Sequence, residues 1–282
     1  MNNAAIEKKY IKLSDGESNV IIDCFNQRIK IISLTGKLQE LLDKLDFDIE
    51  KYTLEKLFCV TNKEKLQTFK DHNFIIEAKI NGLLRGKDGY FLSRFLTGER
   101  KMNMHIPEEE EALITAREYL QERFSYDIED KYIIRTGDKK DADDLSRLYD
   151  SVFETYPTPM NKADYIKYAM DSNTLFKVAI HKGCIISAAS ADMDKKNLNA
   201  EITDCATDHN HRQEGLMGRL IYELEKEMKK INYKVLYSIA RSISPGINIV
   251  FAKHGYEYGG RLVNHCHICG QFENMNIWLK NL

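Results

Sequence analysis

The sequence predicts an α/β protein: a mixed, mostly antiparallel sheet flanked by helices, preceded by an N-terminal α+β domain. Three observations carry this. After residue 131 short apolar, strand-like runs interleave with amphipathic helical stretches at 141–153, 162–170 and 216–230. A strand-like run at 200–206 feeds through a glycine-containing polar turn into the longest of those helices. The first hundred residues carry their own strands and helices, and an acidic helical stretch at 107–124 follows them. The boundaries expected on this basis are 1–105 for the N-terminal domain, 106–130 for a helical linker and 131–282 for the second domain.

Residues 19–32 read as a hairpin turning at Asn26-Gln27. Residues 37–45 form an amphipathic helix, 56–60 a short buried strand and 63–71 a second helix. Two strands, 74–80 and 90–96, flank a glycine-rich turn at 81–89. Glu108 to Glu111 follow Pro107, where a helix N-terminus favours negative charge, so that run reads as a solvated helix start. In the second domain a strand at 132–136 precedes helix 141–153, whose Leu145, Leu148, Tyr149 and Val152 share one face. Tyr156-Pro157-Thr158-Pro159 breaks that helix, and 162–170 is the next. Strands at 176–180, 185–191 and 200–206 lead to helix 216–230 and strand 235–240. Ser244-Pro245 opens a further helix that Gly255 ends, and strands at 262–269 and 274–279 close the sheet.

Composition bounds the function. With 282 residues, 43% hydrophobic and 30% charged, the chain has the balance of a globular protein of one large domain or two. A net charge of −2 argues against a general nucleic-acid binder, which carries a basic excess. No run of about 18 apolar residues predicts a membrane span, and the N-terminus lacks the apolar core of a signal peptide, so a cytoplasmic, membrane-free protein is expected. The six cysteines are scattered, mostly in apolar strand-like runs, and are expected to be thiols.

The most informative stretch is EITDCATDHNHRQEGLMGRL, residues 201–220. A strand feeding a glycine-containing loop at a helix start presents free backbone N–H groups and the positive end of a helix dipole, the arrangement that holds a phosphate or pyrophosphate. Neither a GxxxxGK[ST] nor an early GxGxxG is present, which leaves nucleoside-triphosphate and dinucleotide folds unsupported. Arg212-Gln213-Glu214-Gly215, with Gly218 close behind, resembles the acyl-CoA loop of the GNAT acetyltransferases, and Phe251-Ala252-Lys253-His254-Gly255-Tyr256 resembles their [YF]-x-K-x-G-[FY] signature. The element order over 131–282 is also the GNAT order. Phe69 to Phe74 and the strands after it resemble Phe251 to Tyr256 and its strands, so the first domain reads as a partial GNAT-like repeat without a phosphate loop. Residues 185–192 (IISAASAD), 199–207 (NAEITDCAT), 237–242 (YSIARS), 259–264 (GGRLVN), 266–270 (CHICG) and 275–278 (MNIW) resemble the bacterial and archaeal beta-lysine N-acetyltransferases. That resemblance implies acetyl transfer from acetyl-CoA to the N6 amine of a small diamino acid, β-lysine, giving a compatible solute against osmotic stress.

The chemistry sets demands that residues can be matched to. A side-chain amine of pKa near 10.4 is neutral in only about one molecule in 2,500 at pH 7, and only the neutral form attacks a thioester, so a base is needed. Ala200-Glu201-Ile202 resembles the A-E-I of GNAT histone acetyltransferases, which implies Glu201 as that base. Cys205, four residues on and on the same face of an ideal strand, has a backbone N–H that by the same comparison polarises the acetyl carbonyl. The cofactor contacts implied are Cys205, Thr207, Arg212, Gln213, Glu214, Gly215, Met217, Gly218, Ser244 and Phe251. Asp192 and Asp204 are the carboxylates available for substrate ammonium groups, although Asp204 points away from Glu201 unless a bulge re-aims it. Arg241 and Arg261 are candidates for the substrate carboxylate, with a surface salt bridge as the alternative for each. Two positions depart from the family pattern: Met217 replaces a small residue, and Phe251 replaces the tyrosine that protonates the leaving thiolate, leaving Tyr237, Tyr256 or water. His265, His267 and Cys269 share a face of an ideal strand, but no second cluster supplies a fourth ligand and no metal is expected. The competing readings are a different amine acceptor (lysine, a polyamine or a protein side chain) and a non-catalytic acetyl-CoA sensor. The oligomeric state is not readable.

Overall fold

The computed structural model describes residues 6–120 and 125–282. Strands β1 (Ile6–Leu13), β2 (Gly16–Asp23) and β3 (Arg28–Thr35) form an antiparallel meander, helix α1 (Leu38–Tyr52) crosses over, and β4 (Lys56–Thr61) pairs parallel to β3. Helix α2 (Leu66–Lys70) leads to the hairpin β5 (Ile75–Leu84) and β6 (Lys87–Phe95), followed by α3 (Gly98–Lys101) and α4 (Ile106–Glu118). The second half runs β7 (Ile133–Thr136), α5 (Ala142–Val152), α6 (Ala163–Ser172), β8 (Thr174–His181), β9 (Cys184–Asp194), β10 (Asn199–Thr207), α7 (Leu216–Lys230), β11 (Val235–Arg241), α8 (Pro245–Lys253), β12 (Glu257–Ile268) and β13 (Gln271–Asn281).

All of these strands join in one 13-stranded sheet, ordered β1-β2-β3-β4-β6-β5-β12-β13-β11-β10-β9-β8-β7. The connections of the two halves run in parallel. In each, a meander is followed by a helical crossover to a parallel strand, a second helix, and a hairpin whose later strand inserts next to that parallel strand. The halves meet edge to edge at Gly260 and Ala78. That meeting requires glycine. Residue 260 has φ +137, and a Cβ there would lie 2.4 Å from the Glu77 carbonyl oxygen.

The elements follow the expected order with three differences. The sequence reading passed over β1, whose Glu7, Lys8, Lys9 and Lys12 give it the polar look of a protected sheet edge. The turn expected at 81–89 shrinks to Arg85-Gly86, both at positive φ, because Gly82 and a bulge let β5 run on to Leu84. Within the acidic run, Glu109 turns inward and accepts from Asn274 Nδ2 at 2.7 Å and pairs with Arg261 at 3.3 Å, which ties α4 to the second half. The last residues of the helix expected at 107–124 lie outside the described residues.

Helices cover the sheet unevenly. Leu38, Leu41, Leu42 and Leu45 of α1 pack on Ile29, Ile31, Leu57 and Cys59. Leu216, Leu220, Ile221 and Leu224 of α7 pack on Ala189, Ala191, Ala200 and Ile202. The opposite face of β8 and β9 is covered by α5 and α6 through Leu145, Tyr149 and Ile166. Phe58, Ala78 and Phe91 of the first half pack on Val235, Leu262, Met275 and Ile277 of the second. The face of β9, β10 and β11 opposite α7 is therefore walled by α5 and α6 on one side and by the first half on the other.

Candidate active site

Strands β10 and β11 pair only at Asn199–Val235, Ala200–Leu236 and Glu201–Tyr237, then diverge. Beyond that point the edge of β10 that faces β11 has no ladder partner, so backbone N–H and C=O groups line the gap. The gap opens into a cleft of about 730 Å³ whose walls include Thr203, Asp204, Cys205, Thr207, Arg212 and Gly215. At its mouth Gln213 and Gly215 both take left-handed backbone, with φ +67 and +73. Gly215 is the N-cap of α7 and offers no side chain, so the first N–H groups of the helix face the cleft bare. The chemistry of this donor set fits a diphosphate, and the splayed strand edges fit an extended amide-bearing arm, which pairs with them as an added strand would.

Deeper in, the register aligns Asp192 of β9, Glu201 of β10 and Tyr237 of β11 side by side on the face opposite α7. Glu201 and Tyr237 are half-buried and Asp192 is exposed, so the recess between the two walls is open to solvent at Asp192. Burial, and then the Asp192 charge, push the Glu201 carboxyl up to about 7, against the pull of Lys30 and a hydrogen bond from Tyr237. Burial and Asp194 raise Asp192. The sequence put Asp204 on the other face unless a bulge intervened. The bulge exists: the register shifts between Thr203 and Ala206, and Asp204 sits at φ +50. Its carboxylate turns to the Glu201 side, accepting from Ser190 Oγ at 2.6 Å and Tyr156 OH at 3.2 Å. Burial still raises it to about 6, the two hydrogen bonds opposing.

Among the expected contacts, Thr207, Arg212, Gln213, Gly215, Met217, Gly218 and Ser244 all line the cleft. The Glu214 side chain turns instead toward Lys131, 3.9 Å away. Cys205 lines the cleft, and burial pushes its thiol up, so it is a protonated thiol rather than a nucleophile. Phe251 is fully buried in the core with Tyr256 against it, so neither side chain faces the cleft. Arg241 does face it, but donates to both Glu273 carboxylate oxygens, at 2.6 and 2.7 Å. Arg261 stands opposite Asn276, on the face of the sheet that carries α8 and away from Glu201. There it is held by Glu109 and Glu110.

The histidine cluster separates. A bulge between Leu262 and Cys266 breaks the alternation; the His265 ring meets Phe58 at 4.6 Å, while the His267 ring lies between Phe25 and Phe272. Among the described residues no group of three or more His, Cys, Asp or Glu is placed to hold a metal. Sequence reasoning missed Ser190 and Tyr156 as partners of Asp204, and missed Lys30. The available signal for Lys30 was its spacing: Arg28 and Lys30 alternate with Ile29 and Ile31, so both cations share one strand face.

Residues 142–256 match the model of the acetyltransferase (GNAT) family. Over 97% of its length the chain is 36% identical to the beta-lysine N(6)-acetyltransferase of Methanococcus maripaludis, covering 98% of that protein. It is 34% identical to the N-acetyltransferase YodP of Bacillus subtilis, again over 97% of this chain and covering 99% of that protein. With the beta-lysine N(6)-acetyltransferase of Methanosarcina mazei it shares 33% identity over 88% of this chain and 98% of the relative.

Proposed function

From the premise that this chain belongs to the GNAT acetyltransferase family, we propose that it transfers the acetyl group of acetyl-CoA to the N6 amine of β-lysine. The observation that carries the reading is the carboxylate cluster, Glu201 with Asp192 and Asp204, of which Asp204 also lines the cleft that suits CoA. An acceptor with two ammonium groups is stabilised there by carboxylates. Glu201, poised near neutrality, takes the proton that makes the N6 amine nucleophilic. The amine nitrogen then attacks the thioester carbonyl, whose oxygen is polarised by the Cys205 backbone N–H. The C–N bond forms, the C–S bond breaks, and the second proton of the amine nitrogen passes through water in the cleft to the leaving thiolate, since neither Phe251 nor Tyr256 reaches it. The products are N6-acetyl-β-lysine and CoA. A neutral amide replaces a cationic amine, which suits a cytoplasmic compatible solute made under osmotic stress.

The test is acetyl-CoA turnover across β-lysine, lysine, ornithine and spermidine. A kcat/KM for β-lysine at least tenfold above the others is expected; an even response over the panel removes the assignment. The loop makes a second prediction. Gly215→Ala adds a side chain at φ +73 with no steric neighbour nearer than 4.0 Å, so the cost is backbone strain alone. That strain is about 1–2 kcal/mol in the conformation that binds; the free loop relaxes out of it, and restoring it on binding weakens acetyl-CoA affinity roughly 5–30-fold. Calorimetric titration with acetyl-CoA reads it; unchanged affinity counts against the loop as the diphosphate site.

A further inference from the structure

We propose that Lys30, carried by β3 of the N-terminal half, receives the acceptor's carboxylate, so that the first half selects amino acids over amines that lack one. This rests on the β-lysine reading above and extends it. A diamino acid at neutral pH brings two ammonium groups and one carboxylate into the recess. Asp192, Glu201 and Asp204 answer the ammonium groups, and the carboxylate calls for a cation that has no partner of its own.

The cations around the recess are otherwise committed. Arg241 is spent on Glu273, and Arg261 lies on the other face of the sheet with Glu109 and Glu110. Arg28 donates to Asp23 at 3.0 Å and to the His265 carbonyl at 2.7 Å. Lys56 is held by Glu77 at 2.9 Å and by the Val263 carbonyl at 2.7 Å. Arg100 donates to the Asn26 and Asn264 carbonyls and pairs with Glu55. Among the described residues Lys30 alone of this group has neither a hydrogen bond nor an ion pair.

Its placement is set by the sheet. Lys30 is the direct cross-strand neighbour of Phe58 on β4. The Phe58 ring packs against Phe91, 6.0 Å between centroids, and Phe91 against Tyr237 at 6.4 Å, the tyrosine that hydrogen-bonds Glu201. Lys30 thus stands on the wall that faces the acid cluster, and its charge acts on Glu201 through space. The Arg28 guanidinium and burial together hold its ammonium down to about 8; Asp23, Cys266 and Glu201 act the other way from a distance. His265, which shares this neighbourhood with Arg28, Lys30, Lys56 and Arg100, is kept neutral by burial and by those cations. An enclosed, unpartnered ammonium beside other cations is an arrangement that an incoming carboxylate relieves.

Steady-state kinetics of the wild type, Lys30→Met and Lys30→Arg, each with β-lysine and with its carboxamide, test this. A charge-assisted contact of this kind corresponds to roughly a 10–100-fold preference of the wild type for the acid. Lys30→Met is expected to lose that factor on β-lysine relative to the carboxamide, chiefly through KM, while any loss that comes through the Glu201 carboxyl, which the Lys30 charge helps hold down, falls on both acceptors alike. Lys30→Arg is expected to retain most of the preference. Acetyl-CoA affinity and Tm, measured alongside, show that the variants are folded. Equal losses on both acceptors, or no loss on either, overturn the assignment of Lys30 while leaving the β-lysine reading intact. A folded wild type that does not acetylate β-lysine at all overturns both, and the wild-type measurement alone reveals it.

Discussion

Glu201→Gln is expected to lower kcat by about 10²–10⁴-fold while acetyl-CoA affinity stays as in the wild type. The wild-type rate should carry an acidic limb near pH 7, because the base works only when ionised and its carboxyl is raised to about 7 by burial and Asp192. Activity is therefore lost as pH falls through that value, and the variant's residual rate lacks this limb. Stability runs the other way. A carboxyl whose folded pKa lies above its unfolded one favours the protonated folded state, so its contribution falls as pH rises from the ordinary carboxylate range to about 7. At pH 8 the glutamine, which never ionises, is expected to be more stable than the wild type by about 1–3 kcal/mol. A pH–rate series and urea unfolding at pH 8 read both effects. Unchanged kcat in a folded variant removes Glu201 as the base, and a marked loss of stability makes it a structural residue instead.

Glu77→Ala is expected to destabilise the protein by about 3–5 kcal/mol, the largest effect on folding foreseen outside the apolar core. Glu77 and Lys56 form an ion pair with side chains 2% and 0% exposed. The same carboxylate accepts from the Ser93 hydroxyl and, at 2.7 Å, from the Val263 N–H of the second half. Removing it leaves a buried ammonium and a buried N–H uncompensated at the seam between the halves. Lys56→Met combined with Glu77→Ala removes the orphaned charge and is expected to recover much of the loss. Equilibrium urea unfolding of the three proteins measures this; a single variant within about 0.5 kcal/mol of the wild type would show that the seam does not depend on the pair.

The fold of the second half was legible because its signals are local. The helix faces of Leu145, Leu148 and Tyr149, the Ser244-Pro245 start and the Gly255 stop each depend on a few neighbouring residues, and all lie in the elements expected. The strand-to-helix loop at 212–218 was legible for the same reason. The unseen features depend on distant partners. Edge strand β1 looks polar until it is paired with β2, and Glu109 reads as solvated until Asn274 and Arg261 meet it. Arg261 matched the charge a substrate carboxylate needs, but sheet register sends it to the face away from Glu201, whereas Asp204 needed a bulge to join the Glu201 face.

By itself the sequence determined the order of strands and helices after β1 and the glycine-bearing loop that opens the helix at 216–230, because periodicity, caps and turns are written within about ten residues. Tertiary structure decided that both halves share one sheet, that a bulge brings Asp204 to the face that carries Asp192 and Glu201, and that Lys30 stands beside Phe58. Those outcomes are set by strand register and by burial, which sum contacts between residues far apart in the chain and change sides with every one-residue shift.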